Sequence, residues 1–230
     1  MDKILGASKG ALSTMNDFRK QIADARHNVA IVRTFGGGGT LLDLGANIGE
    51  VSIRCADIFD CIVAVEAHPD TTRVLLQRIW DADLAAKIIT YNAVVAVKSG
   101  VSFFVSSPSE CSTGATARRV MRLKDRPKYY REVNSISLRY FISRYRPRCI
   151  KMDIEGSEWD CLLDERLNLK SVKHLVVEFH GLGNPLRRAN LGNVERLMAR
   201  WGLRIVSSNL TDGWSNATLV FGRSKFARLS

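Results

Sequence analysis

The apolar positions of this chain alternate between two periods, and each change of period marks a new element. Leu12, Met15, Phe18, Ile22, Ala25 and Val29 recur at threes and fours, the spacing of one helical face. This helical preface, residues 1–39, ends at Gly36-Gly37-Gly38-Gly39, a flexible joint or a place of close backbone approach. Beyond it, short apolar runs predict strands at Thr40–Ala46, Cys61–Ala67, Ile88–Val97, Arg148–Ile154, His174–Phe179, Leu203–Ser208 and Ala217–Phe221. An extra strand is expected at Val101–Ser106, after a Ser99-Gly100 turn. Helical spacing fills Ile48–Phe59, Pro69–Ala82, Ser137–Tyr145, Ser157–Leu167 and Leu191–Trp201, and Pro69 suits a first helical position. Strands alternating with helices imply an α/β domain over residues 40–230, with a mostly parallel sheet covered on both faces. The last two strands, joined by a short turn containing Asp212-Gly213, can only be antiparallel. Ser107–Asn134 is polar, basic and poor in apolar periodicity, and reads as an insertion.

Composition narrows the class. The 230 residues are 46% hydrophobic, enough for one sizeable core. No apolar run is long enough to span a bilayer, and the first residues do not form a signal-peptide pattern. Cys55, Cys61, Cys111, Cys149 and Cys161 are odd in number and lack C-x-x-C spacing, so free, mostly buried thiols and a reducing, cytoplasmic setting are expected. The net charge of +11 is uneven: Arg118–Arg148 holds eleven basic and two acidic residues. Arg118, Arg119, Arg122, Lys124, Arg126, Lys128 and Arg131 begin this run, which would favour RNA or another anionic partner. A merely solvated, charged insertion fits the same composition.

The chemistry gathers at strand ends, where open parallel sheets bind ligands. Asp43-Leu44-Gly45-Ala46-Asn47-Ile48-Gly49 is a strand-to-helix turn whose glycines admit a ligand and a closely packed helix. Its glycine spacing is not that of a pyrophosphate cradle. Glu66 ends the next strand, where an acid accepts hydrogen bonds from ribose hydroxyls. Asn92 ends the third, where an amide could meet an adenine edge. Turn, acid and amide on consecutive strands describe an adenosine site without phosphates. S-adenosyl-L-methionine is the obvious ligand, with Asp43 near its amino-acid end.

These residues, together with Lys151-Met-Asp-Ile-Glu-Gly-Ser-Glu158, Leu162 and Glu178-Phe-His180, resemble the FkbM family of methyltransferases over about residues 40–181. The resemblance implies a Rossmann-like class I methyltransferase fold: a mostly parallel seven-stranded sheet with an antiparallel last strand and helices on both faces. It also implies S-adenosyl-L-methionine as cofactor, S-adenosyl-L-homocysteine as product, and usually O-methylation. Carried over residue by residue, Asp43, Gly45, Asn47, Gly49 and Glu66 fall on cofactor-binding positions, with Ala46 inside the turn. Ala67 stands where the family often has proline. Asp153, Glu155 and His180 fall on the reaction edge. The basic insertion matches no family motif.

At that edge an acceptor alcohol must lose a proton. His180, with an ordinary pKa near 6.5, suits abstraction at neutral pH, and Asp153 could orient it or act as base; a turn-capping histidine is the plainer alternative. Glu155 could serve the reaction or only the start of the following helix, whose dipole Glu158 should complement. Lys151 could neutralise the carboxylates. Asp153 and His180 could also share a divalent metal, but two ligands are too few to claim one. His68 reads as a turn residue near the adenine. The leading expectation is O-methylation of a hydroxyl on a small molecule or glycan. RNA ribose 2′-O-methylation through the basic run is the alternative, and a non-catalytic binding module of the same fold is a third reading.

Overall fold

Strands that are apolar at nearly every position must be covered on both faces, and the layering follows from that. A computed structural model of the chain describes residues 22–23, 25–105, 116–118, 130–210 and 216–223. In chain order the elements are α1 (25–34), β1 (Thr40–Leu44), α2 (Glu50–Arg54), β2 (Cys61–Glu66), α3 (Pro69–Asp81), β3 (Ile88–Asn92), β4 (Val94–Ala96), β5 (Gly100–Val105), β6 (Thr116–Arg118), β7 (Tyr130–Ser137), α4 (Leu138–Tyr145), β8 (Cys149–Met152), α5 (Glu158–Leu162), β9 (His174–His180), α6 (Pro185–Arg200), β10 (Leu203–Leu210) and β11 (Asn216–Arg223). Seven strands form the main sheet in the order β10-β11-β9-β8-β1-β2-β3. Only β11 runs antiparallel to its neighbours. The expected mostly parallel sheet with an antiparallel last strand is therefore present.

Alternate side chains of each central strand enter opposite cores. Leu41, Ile62, Ala64 and Cys149 pack with Val29 and Val32 of α1, with Val51 of α2 and with Leu75 of α3. Leu42, Leu44, Val63, Val65 and Ile150 pack with Phe141 of α4, Trp159 of α5 and Met198 of α6. The ring of Phe35 stacks on His174, centroids 4.3 Å apart, and closes the end of α1 onto the sheet. Cys55, Cys149 and Cys161 are buried free thiols and Cys61 is partly buried, as expected; burial pushes the Cys55 thiol up to about 12.

Three expectations change. The run Ile88–Val97 is not one strand but two: β3 pairs with β2, and β4 turns away to pair with β7. At the break the Asn92 side-chain amide donates to the Glu66 and Ala67 carbonyls of the β2–α3 connection. The irregular stretch ends before Asn134, since β7 starts at Tyr130 and joins β5 in a second, four-stranded sheet. There Glu132 and Asn134 are exposed and Val133 and Ser135 buried, so the strand alternates in burial while its polar Ser135 hides the pattern. Finally, α6 starts six residues early, at Pro185, with Asn184 capping it through the Leu186 amide. Leu12, Met15, Phe18, Cys111, the Asp212-Gly213 turn and the cations Arg119, Arg122, Lys124, Arg126 and Lys128 lie outside the described residues.

The strand order reverses between β1 and β8, and the crevice at their carboxyl ends is the position that binds ligands in such sheets. Gly45, at φ +74°, turns the chain there, and a Cβ on it would stand 1.7 Å from the backbone oxygen of Asp153. Gly192 in α6 has open space around it. Gly45→Ala should therefore lower the urea midpoint sharply, by roughly 2 kcal/mol or more of stability. Gly192→Ala should raise it by about 0.5–1 kcal/mol. Equal midpoints for the two variants would show that the close approach of β1 and β8 does not constrain the fold.

Candidate functional site

The loop between β1 and α2 is held from below by Glu66. Its Oε2 accepts the Asn47 amide at 2.9 Å, and its Oε1 accepts the His68 amide at 2.7 Å. Asn47 itself is left-handed, at φ 51°. The amides of Gly45 and Ala46 both donate to the Val65 carbonyl, 2.9 Å each. Gly49, at φ 88°, leaves room for Leu75, whose Cδ1 would lie 2.4 Å from an added Cβ. Burial raises the Glu66 pKa, against the pull of its two amide donors and Lys151. Asn92 donates its amide to the carbonyls of Glu66 and Ala67 and to Thr72 Oγ1, 3.0 Å each, which leaves its carbonyl end for a ligand. Ala67 packs against Val94 and Val133. His68 caps α3, its Nδ1 accepting from Asp70 and Thr71.

Asp43 and Lys151 face each other directly across the β1–β8 pairing. Both are buried, at 0% and 5% exposed. Lys151 Nζ donates to the Gly45 carbonyl at 2.8 Å and lies 3.5 Å from Asp43 Oδ1 and 3.7 Å from Asp153 Oδ2. Burial lowers the Lys151 pKa, but the charges of Asp43, Asp153, Glu178 and Glu66 outweigh it and the net shift is upward. The lysine is a buried cation. Ser52 of α2 donates to Asp43 Oδ2 at 2.6 Å. Asp43 is thus enclosed, with Lys151 and Ser52 at its carboxylate.

Beyond β8 the chain bends through Glu155 at φ 55° and Gly156 at φ 106°. Glu158 accounts for that bend. Its carboxylate is fully buried and accepts the amides of Ile154 at 3.0 Å and Gly156 at 2.8 Å. It also holds His180 Nδ1 at 3.0 Å. The other ring nitrogen of His180, Nε2, lies 3.4 Å from Glu155, 3.8 Å from Asp153 and 3.9 Å from Glu178. Burial alone would lower the histidine pKa, but the Glu158 bond and the charges of Glu158, Glu155 and Asp153 raise it to about 9. His180 is therefore a cation at neutral pH. It does not have the pKa near 6.5 on which its expected part as a neutral-pH base rested.

The structure brings Lys151, Asp153, Glu155 and His180 together at one edge, next to the loop carrying Gly45, Ala46 and Asn47. Asp153, Glu155 and His180 each offer one ligand atom, all within 4.8 Å of one another, so a third group joins the two that suited a divalent ion. The same spacing suits an imidazolium between two carboxylates. Four further residues belong here to which the sequence reading gave no part in the site, although two of them, Glu158 and Glu178, stand in the family motifs. Glu158 anchors His180, although its place in the first turn of α5 suggested only a dipole partner. Glu178 lines the recess with Lys151 and Asp153, although β-strand alternation alone gave it no role. Asn28 and Ala25 of α1 line it as well, so this helix forms part of the crevice wall. Asn28 is a polar residue on an otherwise apolar buried face, the one signal that could have found it.

The domain model described as the methyltransferase FkbM domain matches residues 43–205. No curated protein matches the chain in sequence. Among solved structures, Sp1610 of Streptococcus pneumoniae, a candidate tRNA (m1A22) methyltransferase in complex with S-adenosyl-L-methionine, superposes with TM-score 0.52 at 14% identity over 89% of this chain and 75% of that one. Trm5b of Pyrococcus abyssi gives 0.51 at 10% identity over 86% of this chain and 48% of the other. The FkbM methyltransferase of Methylobacillus flagellatus gives 0.50 at 18% identity over 80% and 43%. The chain thus spans less than half the length of the last two. These likenesses establish a Rossmann-like methyltransferase fold. Because the family match runs from the acid of the glycine loop into β10 and takes in well over half of the sequence, this chain belongs to the FkbM methyltransferase family.

Proposed function

We propose that the chain is an S-adenosyl-L-methionine-dependent O-methyltransferase acting on a hydroxyl of a small molecule or glycan. The cofactor supplies a methyl group already activated on a sulfonium. The loop from Gly45 to Gly49 would hold it, with Glu66 and Ala67 at the end of β2 and the carbonyl end of Asn92. The crevice fits such a group: the glycines keep the loop open, and carboxylates outnumber cations. Asp43, Glu66, Asp153, Glu155, Glu158 and Glu178 stand around only Lys151 and His180, an imbalance that favours a positively charged ligand.

The observation that carries the reading is Asp153, partly exposed at 26% and held between Lys151 and His180. A carboxylate fixed by two cations is positioned to accept the acceptor's hydroxyl proton. Protonated His180 orients Asp153 and Glu155 and can donate to an acceptor oxygen. Glu155 lines the acceptor side, where its left-handed backbone directs it toward His180. RNA ribose 2′-O-methylation is the second reading, favoured by the basic run Arg118–Arg148. A binding module without catalysis fits less well, since the polar set at the edge is complete.

Calorimetric titration with S-adenosyl-L-homocysteine tests the division of labour. Glu66→Ala should weaken binding by about 1.5–3 kcal/mol, the worth of hydrogen bonds to a charged group. Asp153→Ala should keep affinity within a few-fold, yet abolish transfer of labelled methyl groups to acceptors in a cell extract. Exchange of the two effects would mean that the edges are wrongly assigned.

The His180 ring should titrate near 9 by NMR, not near its ordinary 6.5. Because the folded value is raised, the stability it contributes is fully present below about 6.5. That contribution is lost as the pH rises through about 9. The melting-temperature gap between the wild type and His180→Ala should accordingly narrow between these values. A ring pKa below 7 would rule out the imidazolium.

A further inference from the structure

The fold brings part of the basic run against cations of a second segment. Arg139 of α4 and Arg146, just after it, meet Arg166 and Lys170 of the α5–β9 connection around one cavity of about 640 Å³. Among the described residues no carboxylate lines it. Asp164, whose side chain is 6% exposed, pairs with two of the lining arginines. Arg166 grips it twice, through Nε at 2.7 Å and a terminal nitrogen at 3.0 Å, and Arg139 Nε lies 3.3 Å away. One carboxylate thus holds the Arg166 guanidinium by two hydrogen bonds and draws the Arg139 guanidinium beside it as an ion pair, while Arg139 Nε itself makes no hydrogen bond among the described residues. Arg146 and Lys170 are exposed and form no ion pair among the described residues. Asn168 turns its oxygen to the Lys170 amide at 3.2 Å, which leaves its NH₂ as a further donor.

We propose that this cavity binds phosphate groups. A guanidinium already held, as that of Arg166 is, loses little freedom on binding; guanidiniums match phosphate oxygens two at a time, and Arg146 and Lys170, without an ion pair among the described residues, add charge. Arg146 precedes the start of β8 and Lys170 the start of β9, whereas Asp153 and His180 lie at the opposite ends of these strands. The phosphate site is therefore remote from the reaction edge, by at least the roughly 13 Å of a four-residue strand. It anchors either a ligand long enough to reach both ends, an RNA strand, or a separate small phosphorylated molecule. The inference stands on its own residues and does not depend on the methyl donor or acceptor.

The test compares wild type with the double variant R146E/K170E, both shown folded by equal melting temperatures. Two ligands are used: a fluorescein-labelled single-stranded RNA of about 20 nucleotides, by anisotropy, and a nucleoside diphosphate, by calorimetry. For an RNA anchor, the variant's Kd should rise about tenfold or more. The slope of log affinity against log salt should also fall by about 1.4, roughly 0.7 for each cation contact removed. Loss of nucleoside diphosphate binding, with RNA binding absent or unchanged, assigns the cavity to a small phosphorylated ligand. Both ligands bound equally by the two proteins, or by neither, overturns the proposal.

Discussion

A single ammonium group ties the sheet to its chemistry. Lys151 is buried between Asp43, its partner across β1 and β8, and Asp153, and it donates to the Gly45 carbonyl. Removing one partner from such a buried pair costs about 3–5 kcal/mol, because the other charge is left without compensation. Here the uncompensated group would be Asp43, fully enclosed, with Oδ1 accepting no hydrogen bond. The loop that would take the cofactor and the carboxylate that would take a proton are thus fixed by one group.

A second anchor, the Glu158 carboxylate, does the same for the far side of the crevice. It satisfies the amides of a bend that Glu155 can enter only with a left-handed backbone, and it fixes the ring of His180. Burying one acid beside the histidine and three others within 4 Å makes the ring a cation. The result is an acidic crevice in a protein whose net charge is +11. The two signs are kept apart: carboxylates converge at the carboxyl ends of β8 and β9, and cations gather toward the opposite ends. Inside, the field suits a sulfonium; outside, it suits an anion.

Much of this was legible along the chain because burial leaves a local trace. Strands covered on both faces read as apolar runs, and Asp43, Glu66, Asp153 and His180 stand where those runs stop. Elements whose trace is not local were harder to read. The strand β7 buries Ser135 beside Val133, so its alternation is invisible to hydrophobicity, and its partner β5 lies some thirty residues back in the sequence. The Asn92 side chain at the break bonds to carbonyls of residues 66 and 67. Glu158 reads as an ordinary first-turn acid until His180, 22 residues later, is folded against it.

By itself, then, the amino-acid order determined the layered parallel sheet, the glycine turn and the residue types at each strand end. Periodicity and backbone permissiveness are properties of neighbouring positions, and a chain carries them before it folds. Only the tertiary structure decided which of those residues act as cations, which carboxylate is sealed away and which remains open. Protonation depends on charges and burial across space, and these exist only after β1, β8, β9 and α1 have closed around one another. The same holds for the phosphate cavity: its four cations come from two segments separated by β8 and α5, and packing alone makes them one surface.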